Sequence, residues 1–98
     1  MRTTLDKLAF EVMSATADDW ESLDQIMEQV ERFSGVSDRT QVAGIIVQLL
    51  TEGLFEEMQK QKVTPEMIIQ SPIDFWFKMT KQGRSLWTSE ASKYEDAQ

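Results

Sequence analysis

The segment from Ser37 to Leu54 constrains the fold most strongly, because it carries the signals for both ends of one helix. A polar start precedes apolar residues at helical spacing, and a glycine follows them. We expect Ser37 to cap the helix by accepting a hydrogen bond from a free amide of the first turn. We expect Gly53 to end it in the left-handed conformation. The pattern therefore predicts a helix over about 38–52.

This predicted helix has one apolar face and one uncharged face that points outward. The inward residues are Val42, Ile45, Ile46, Leu49 and Leu50. The outward residues are Thr40, Gln41, Gly44, Gln48 and Thr51. A glycine inside a helix costs about 1 kcal/mol relative to alanine. We therefore expect a neighbouring helix to approach closely at Gly44, or else the backbone of a ligand.

Two further helices are predicted before this one. The first covers about 4–17, where apolar residues repeat at helical spacing. The second covers about 23–33 and has a strongly acidic outer face. Both begin with the spacing of a capping box, Thr3 with Asp6 and Ser22 with Gln25. A short glycine-containing segment of the length found in a helix-turn-helix leads into the third helix.

Two strand-like segments follow the third helix. Residues 54–60 are predicted as the first strand, and 73–79, where apolar and polar residues alternate, as its antiparallel partner. The connection over 61–72 is long for a hairpin, and Thr64-Pro65-Glu66 has the start signals of a helical turn. A last helix is predicted over about 80–94.

The element order is α-α-α-β-β-α, which predicts one domain over 1–98, mainly α with a small antiparallel β-hairpin (α+β). This is the outline of a winged helix-turn-helix. The chain has no cysteine and no histidine, which excludes zinc fingers, disulfide scaffolds, thiol nucleophiles and imidazole bases. Adjacent acids such as Asp18-Asp19 point in different directions and make poor catalytic or metal sites. We therefore expect no enzyme, no cofactor and no metal.

The chain has no apolar run near the roughly 18 residues that a membrane span needs. Its first residues also lack the apolar core of a secretory signal. We therefore expect no contact with a membrane and a cytoplasmic location.

The charge is unevenly distributed along the chain. A net charge of −7 opposes binding to nucleic acid. Residues 1–57 hold 4 basic and 12 acidic side chains, whereas residues 58–84 hold 5 basic and 2 acidic ones. The basic residues of the second stretch are Lys60, Lys62, Lys78, Lys81 and Arg84. The predicted wing either contacts phosphates with these residues or is simply a solvated hairpin.

Two local patterns lie where the predicted helices meet the wing. The third helix ends in Leu49, three spacer residues, Gly53 and Leu54. The second strand runs into the last helix as Phe77-Lys78-Met79-Thr80-Lys81-Gln82-Gly83-Arg84. With the element order, these patterns resemble winged-helix transcriptional regulators of the MarR and PadR type. We expect Thr80 to cap the last helix, and Gly83 to let that helix pack close to the wing.

The resemblance implies a DNA-binding transcriptional regulator that acts as a homodimer on double-stranded DNA. Two third helices would lie in successive major grooves, with the wings at the minor groove or the backbone. Its implied DNA-binding residues are Ser37, Arg39, Thr40, Gln41, Gln48, Lys60 and Lys62. Arg39 would read guanine, and Gln41 or Gln48 would read adenine.

The acidic first half supports an alternative, an acidic winged-helix module that contacts a protein partner and does not bind DNA. Its possible interface residues are Phe10, Trp76, Trp87 and Tyr94. Phe10 lies off the apolar stripe of the first helix, so it packs against the last helix or contacts another chain. With Trp87 and Tyr94 it either builds a compact dimer or completes the core of a monomer. Trp76 either points outward beside Lys78 or lies under the segment 64–71.

Overall fold

A computed structural model describes residues 4–95, with the side chains of residues 4–94. Its elements in chain order are α1 (Lys7–Ser14), α2 (Leu23–Ser34), α3 (Arg39–Thr51), β1 (Phe55–Glu57), α4 (Pro65–Gln70), β2 (Phe77–Met79) and α5 (Lys81–Glu95). The two strands form an antiparallel sheet. This part of the chain is therefore mixed α+β, as predicted, and its element order is consistent with a winged helix-turn-helix.

The first helix is shorter than predicted at both ends. It begins at Lys7 because Asp6 caps it, accepting a hydrogen bond of 2.8 Å from the Ala9 N–H. Thr3, the other residue of the predicted capping box, lies outside the described residues. After Ser14 the chain tightens into a turn, in which the Thr16 N–H donates to the Met13 carbonyl. The prediction of a helix over 4–17 was therefore too long.

The second helix agrees with its prediction to within one residue. Its capping box is present, and the Gln25 side chain accepts a hydrogen bond of 3.0 Å from the Ser22 N–H. At the other end Gly35 has a φ of 71°, a left-handed conformation that favours glycine and ends the helix.

The third helix begins one residue later and ends one residue earlier than predicted. Its cap is Asp38, which accepts a hydrogen bond of 3.2 Å from the Gln41 N–H, so the prediction of Ser37 as the cap was wrong. Both residue types are good caps, and the choice depends on which one takes the extended conformation just before the helix. At the far end Gly53 has a φ of 75°. The Gly53 N–H donates to the Leu50 carbonyl and the Leu54 N–H to the Leu49 carbonyl, which is a Schellman ending.

Both strands are much shorter than predicted. β2 has three residues rather than the seven predicted over 73–79, and β1 also has only three. Ile73 lies in a turn, where its side chain is 70% exposed. The prediction failed because the Asp74 N–H donates to the Ser71 carbonyl, closing a turn on the residues that were to start the strand. The alternation itself was right, since Phe75, Phe77 and Met79 are buried.

The sheet also pairs with the link between α1 and α2, a contact that the sequence did not predict. The Glu21 N–H donates to the Phe77 carbonyl at 3.0 Å, and the Phe77 N–H donates back to the Glu21 carbonyl at 2.9 Å. β2 therefore lies between β1 and this link. A pairing of one residue with one residue produces almost no alternation of apolar and polar residues, so the sequence does not predict it.

The long connection inside the wing folds into α4, where the sequence predicts a helical turn. Thr64 caps α4 by accepting a hydrogen bond of 3.2 Å from the Met67 N–H, and Pro65 occupies the first turn. Ile68 is completely buried, and α4 packs against α3. The wing thus folds back onto the third helix.

The core lies between the first three helices, the inner face of the sheet and α5. Its largest fully buried side chains are Phe77, Leu5, Met13, Leu23, Ile26, Ile46, Leu49, Ile68, Val12, Val30, Val42 and Thr16. Across the described residues, no helix has the length and apolar character that crossing a bilayer would require.

Candidate functional site

The outward face of α3 is uncharged, as predicted. Its exposed side chains are Thr40, Gln41, Gln48 and Thr51, and Ser37 is exposed in the turn before it. A Cβ atom added at Gly44 would meet no atom within 4 Å. The close approach of a neighbouring helix expected at Gly44 is therefore not found in the described structure, and that expectation was wrong.

Arg39, the predicted guanine reader, is paired with an acid of the neighbouring helix. Its Nη2 lies 2.7 Å from Oδ1 of Asp24 on α2. Both side chains are partly exposed, so the pair adds at most about 1 kcal/mol to stability. The carboxylate nevertheless offsets part of the positive charge that Arg39 would present to a DNA phosphate or base.

The neighbours of α3 limit how it can enter a groove. α4 packs along one side of it, and the exposed outer face of α2 carries Asp24, Glu28 and Glu31. Arg32 on the same helix lies 3.5 Å from the Glu28 carboxylate. These three acids outnumber that one base, so the face is acidic. A DNA duplex with α3 in its groove would therefore meet α4 along one side of α3. It would meet the carboxylates of α2 near the N-terminal end of α3.

The loop between β1 and α4 carries the two predicted wing lysines. Lys60 and Lys62 are both exposed. Glu57, whose residue is only 3% exposed, shapes the loop by accepting hydrogen bonds from the N–H groups of Gln59 and Gln61 at 3.1 and 3.0 Å. Within the loop Lys60 has a φ of 59°, unusual for a residue with a side chain.

An open cavity of about 670 Å³ lies between this loop and the C-terminal half of α3. Val47, Leu50 and Val63 contribute apolar groups to its wall, and Lys60 and Lys62 also line it. The two wing lysines are thus next to the C-terminal half of α3. Ser37, Arg39, Thr40 and Gln41 lie at its N-terminal end, and Arg39 to Gln48 spans about 14 Å of helix axis.

The sheet has a buried inner face and a partly exposed outer one. Phe55 and Met79 lie opposite each other on the inner face, as do Glu57 and Phe77, and all four are buried. Since successive side chains of a strand alternate between faces, Glu56 and Lys78 lie on the other side. Both are half-buried.

Two further positions extend that outer side. The Met58 N–H donates to the Trp76 carbonyl at 2.9 Å, which places these residues opposite each other. On the other edge of β2, Nζ of Lys78 lies 5.9 Å from the centroid of the Trp20 ring. Together these five residues are called the outer sheet face: Trp20, Glu56, Met58, Trp76 and Lys78.

The sequence predicted only part of this face. It left Trp76 either pointing outward beside Lys78 or lying under the segment 64–71, and in the structure Trp76 is half-buried on this face. Trp20 and Met58 were missed, because their positions depend on the bridge at Glu21 and on the register of a hairpin with a long insertion. Alternation within one strand carries no signal for either feature.

The other predicted interface aromatics form a cluster inside the described chain. The Phe10 ring stacks on Trp87 of α5 with the centroids 6.0 Å apart, and it packs at a tilt against Tyr94 of α5 with the centroids 5.0 Å apart. Trp87 Nε1 donates to Ser14 Oγ at 2.8 Å. Phe10 thus packs against the last helix, the first of the two alternatives that the sequence left open, and because it is buried it is not available to another chain.

One carboxyl group near the outer sheet face has a shifted pKa. Burial raises the pKa of Glu21, and the nearby Asp19 and Asp18 raise it further. Glu21 is thus the centre of a small acidic region at the sheet edge. No group of three or more acidic side chains within residues 4–95 is arranged to hold a metal ion.

Comparison of the chain with models of protein families, with curated proteins and with solved structures finds no match.

Proposed function

We propose that this chain is a winged helix-turn-helix used as a protein-interaction module, and that its outer sheet face contacts the partner. The observation that carries the proposal is that two tryptophans and a methionine share the side of the sheet away from the core, with Met58 opposite Trp76 and the Trp20 ring next to Lys78. Trp and Met are enriched in protein interfaces, and tryptophans contribute disproportionately to binding energy.

The electrostatics of the predicted DNA-reading surface also favour a protein partner. Non-specific DNA affinity comes from lysines and arginines that neutralise phosphates. The outward face of α3 is uncharged, Arg39 is paired with Asp24, and the neighbouring face of α2 is acidic. In a chain with a net charge of −7, Lys60 and Lys62 alone would supply few phosphate contacts.

A DNA titration tests this proposal. Fluorescence anisotropy of a labelled mixed-sequence duplex would be followed at about 50 mM and about 200 mM salt, the range over which phosphate contacts lose much of their affinity. We expect no measurable binding at either salt concentration. Binding that weakens steeply with salt, and that is lost when Lys60 and Lys62 are both replaced by alanine, would contradict the proposal.

The second candidate function is a DNA-binding transcriptional regulator. It is favoured by the exposure of Lys60 and Lys62 beside the C-terminal half of α3. In that function a homodimer would place two α3 helices in successive major grooves. The same titration distinguishes the two candidates, because only the regulator would respond to the lysine substitutions.

A further inference from the structure

We infer that the partner of the outer sheet face is a basic segment that inserts one apolar side chain between flanking lysines or arginines. This inference rests on the proposed function and adds the chemistry of the partner. Both the apolar surface of the face and the charges around it point to such a segment.

The apolar part of the face lies around Met58 and Trp76. Met58 is 45% exposed and lies across the strand pair from Trp76. Trp76 Nε1 donates to the Ile73 carbonyl at 2.9 Å, which holds the indole beside the turn that carries the exposed Ile73. The half-buried indole, between two exposed aliphatic side chains, suits the insertion of one apolar group.

The charges around this apolar surface are mainly negative. Asp18 and Asp19 are exposed directly before Trp20, and Asp74 is exposed directly after Ile73. Glu56 lies on the face itself. The acids near Trp20 are close enough to Glu21 to disfavour its ionisation.

The two cations near Trp20 already have partners in the chain, and the exposed Lys60, two residues after Met58, lines the cavity beside α3. Lys78 lies over the Trp20 ring, and Arg84 donates a hydrogen bond of 2.6 Å to the Ala17 carbonyl. The Arg84 guanidinium also lies over the Trp87 ring. Carboxylates on both sides of the apolar surface therefore favour a partner whose apolar anchor is flanked by positive charge.

Selection from a library of random linear peptides displayed on phage tests the inference. The full chain is the bait. We expect enriched peptides to carry an aromatic or aliphatic residue with Lys or Arg on both sides, and the binding of the synthetic peptides to weaken as salt is added. Met58→Lys and Ile73→Ser, both at exposed positions, should each weaken binding about tenfold or more.

Phe33→Ser is the matched control, because Phe33 is an apolar residue at the end of α2 whose exposure, 61%, lies between those of Met58 and Ile73. It should leave the affinity unchanged. Charge reversal at Asp18 and Asp74 together should weaken the binding of basic peptides. The binding of an uncharged peptide with the same apolar anchor should be unaffected.

Four outcomes would overturn the inference. Enriched peptides that are acidic or uncharged would contradict the charge argument, and the absence of any enriched peptide would contradict the presence of an anchor site. Peptide binding that is unaffected by Met58→Lys and Ile73→Ser but lost in the Gln48→Arg variant would place the interface on α3. The inference would then fail, although the proposed function of protein binding would stand. DNA binding that depends on Lys60 and Lys62, without peptide binding, would overturn the proposed function as well.

Discussion

A Cβ atom on Gly83 would lie 2.0 Å from the backbone oxygen of Leu54, far inside any permitted contact. That same oxygen accepts a hydrogen bond of 3.0 Å from the Thr80 N–H. The Thr80 hydroxyl donates to the Gly53 carbonyl and accepts from the Gly83 N–H, at 2.6 and 3.0 Å. The end of α3 and the start of α5 are thus joined at one point. This joint is the physical reason for both sequence patterns at the wing.

Replacing Gly83 with alanine should destabilise the domain strongly. The added methyl group meets backbone rather than a movable side chain, so α5 must move away from Leu54 and loosen the hydrogen bonds of Thr80. We expect the free energy of unfolding to fall by about 1–3 kcal/mol or more, measured by urea denaturation. An unchanged denaturation midpoint would show that the close approach is not required.

Gly44→Ala is the matched opposite case. The methyl group would enter open space in the middle of α3, and alanine has the higher helix propensity. The free energy of unfolding should rise by about 1 kcal/mol in the same urea experiment. A loss of stability would mean that the outward face of α3 is already in contact with something in solution, such as a second copy.

Asp38→Ala should cost about 1 kcal/mol of stability, because it removes the side chain that caps α3. Ser37→Ala, one residue earlier, should change the free energy of unfolding by only a few tenths of a kcal/mol. Urea denaturation of both variants compares neighbouring polar residues. A larger loss of stability in Ser37→Ala than in Asp38→Ala would indicate that Ser37 is the cap, as the sequence predicts. Equal losses would contradict Asp38 as the main cap.

Glu21→Gln should stabilise the domain at neutral pH. Burial and the neighbouring Asp19 and Asp18 raise the pKa of Glu21 in the folded chain, so its ionised form disfavours folding. A group with a raised folded pKa favours folding at low pH, and this contribution is lost as the pH rises through the folded pKa. The advantage of the Glu21→Gln variant over the parent chain should therefore be largest near pH 7 and disappear below the usual glutamate range, about pH 4.

Urea denaturation at a series of pH values measures this difference. Asp19→Asn gives an independent check, because removing the neighbouring charge should lower the pKa of Glu21, as followed by carboxyl NMR. A stabilisation by Glu21→Gln that is the same at every pH would attribute the effect to packing and not to charge.

Much of the helical structure was predictable, because the interactions that define helices are local. The Ser22 and Gln25 capping box, the left-handed Gly53, and Thr64 before Pro65 each act within a few residues of one another. The one error at the start of α3, Ser37 in place of Asp38, concerns two adjacent residues that are both able to cap. The close packing of Gly83 was predicted from the pattern over 77–84, and the structure explains it by the approach of the Leu54 backbone.

The strands and the surfaces were less predictable, because they depend on residues far apart in the chain. Three-residue strands carry little alternation, and the bridge between Glu21 and Phe77 joins segments separated by most of the domain. The pairing of Arg39 also depends on a residue of another helix. Its position in the sequence predicts contact with a DNA base, yet in the structure it is paired with Asp24 of α2.

The sequence by itself determined the α+β class, the approximate extent of the first three helices and the last one, and the caps of α2 and α4, since hydrogen bonds and apolar periodicity within a few residues decide them. Only the tertiary structure decided which charges remain free and which aromatic side chains share a surface. Trp20 meets Lys78, and Met58 meets Trp76, because three segments pair in one register around β2. That register follows from the packing of Phe55, Phe77 and Met79 into a common core, a condition that no single segment contains.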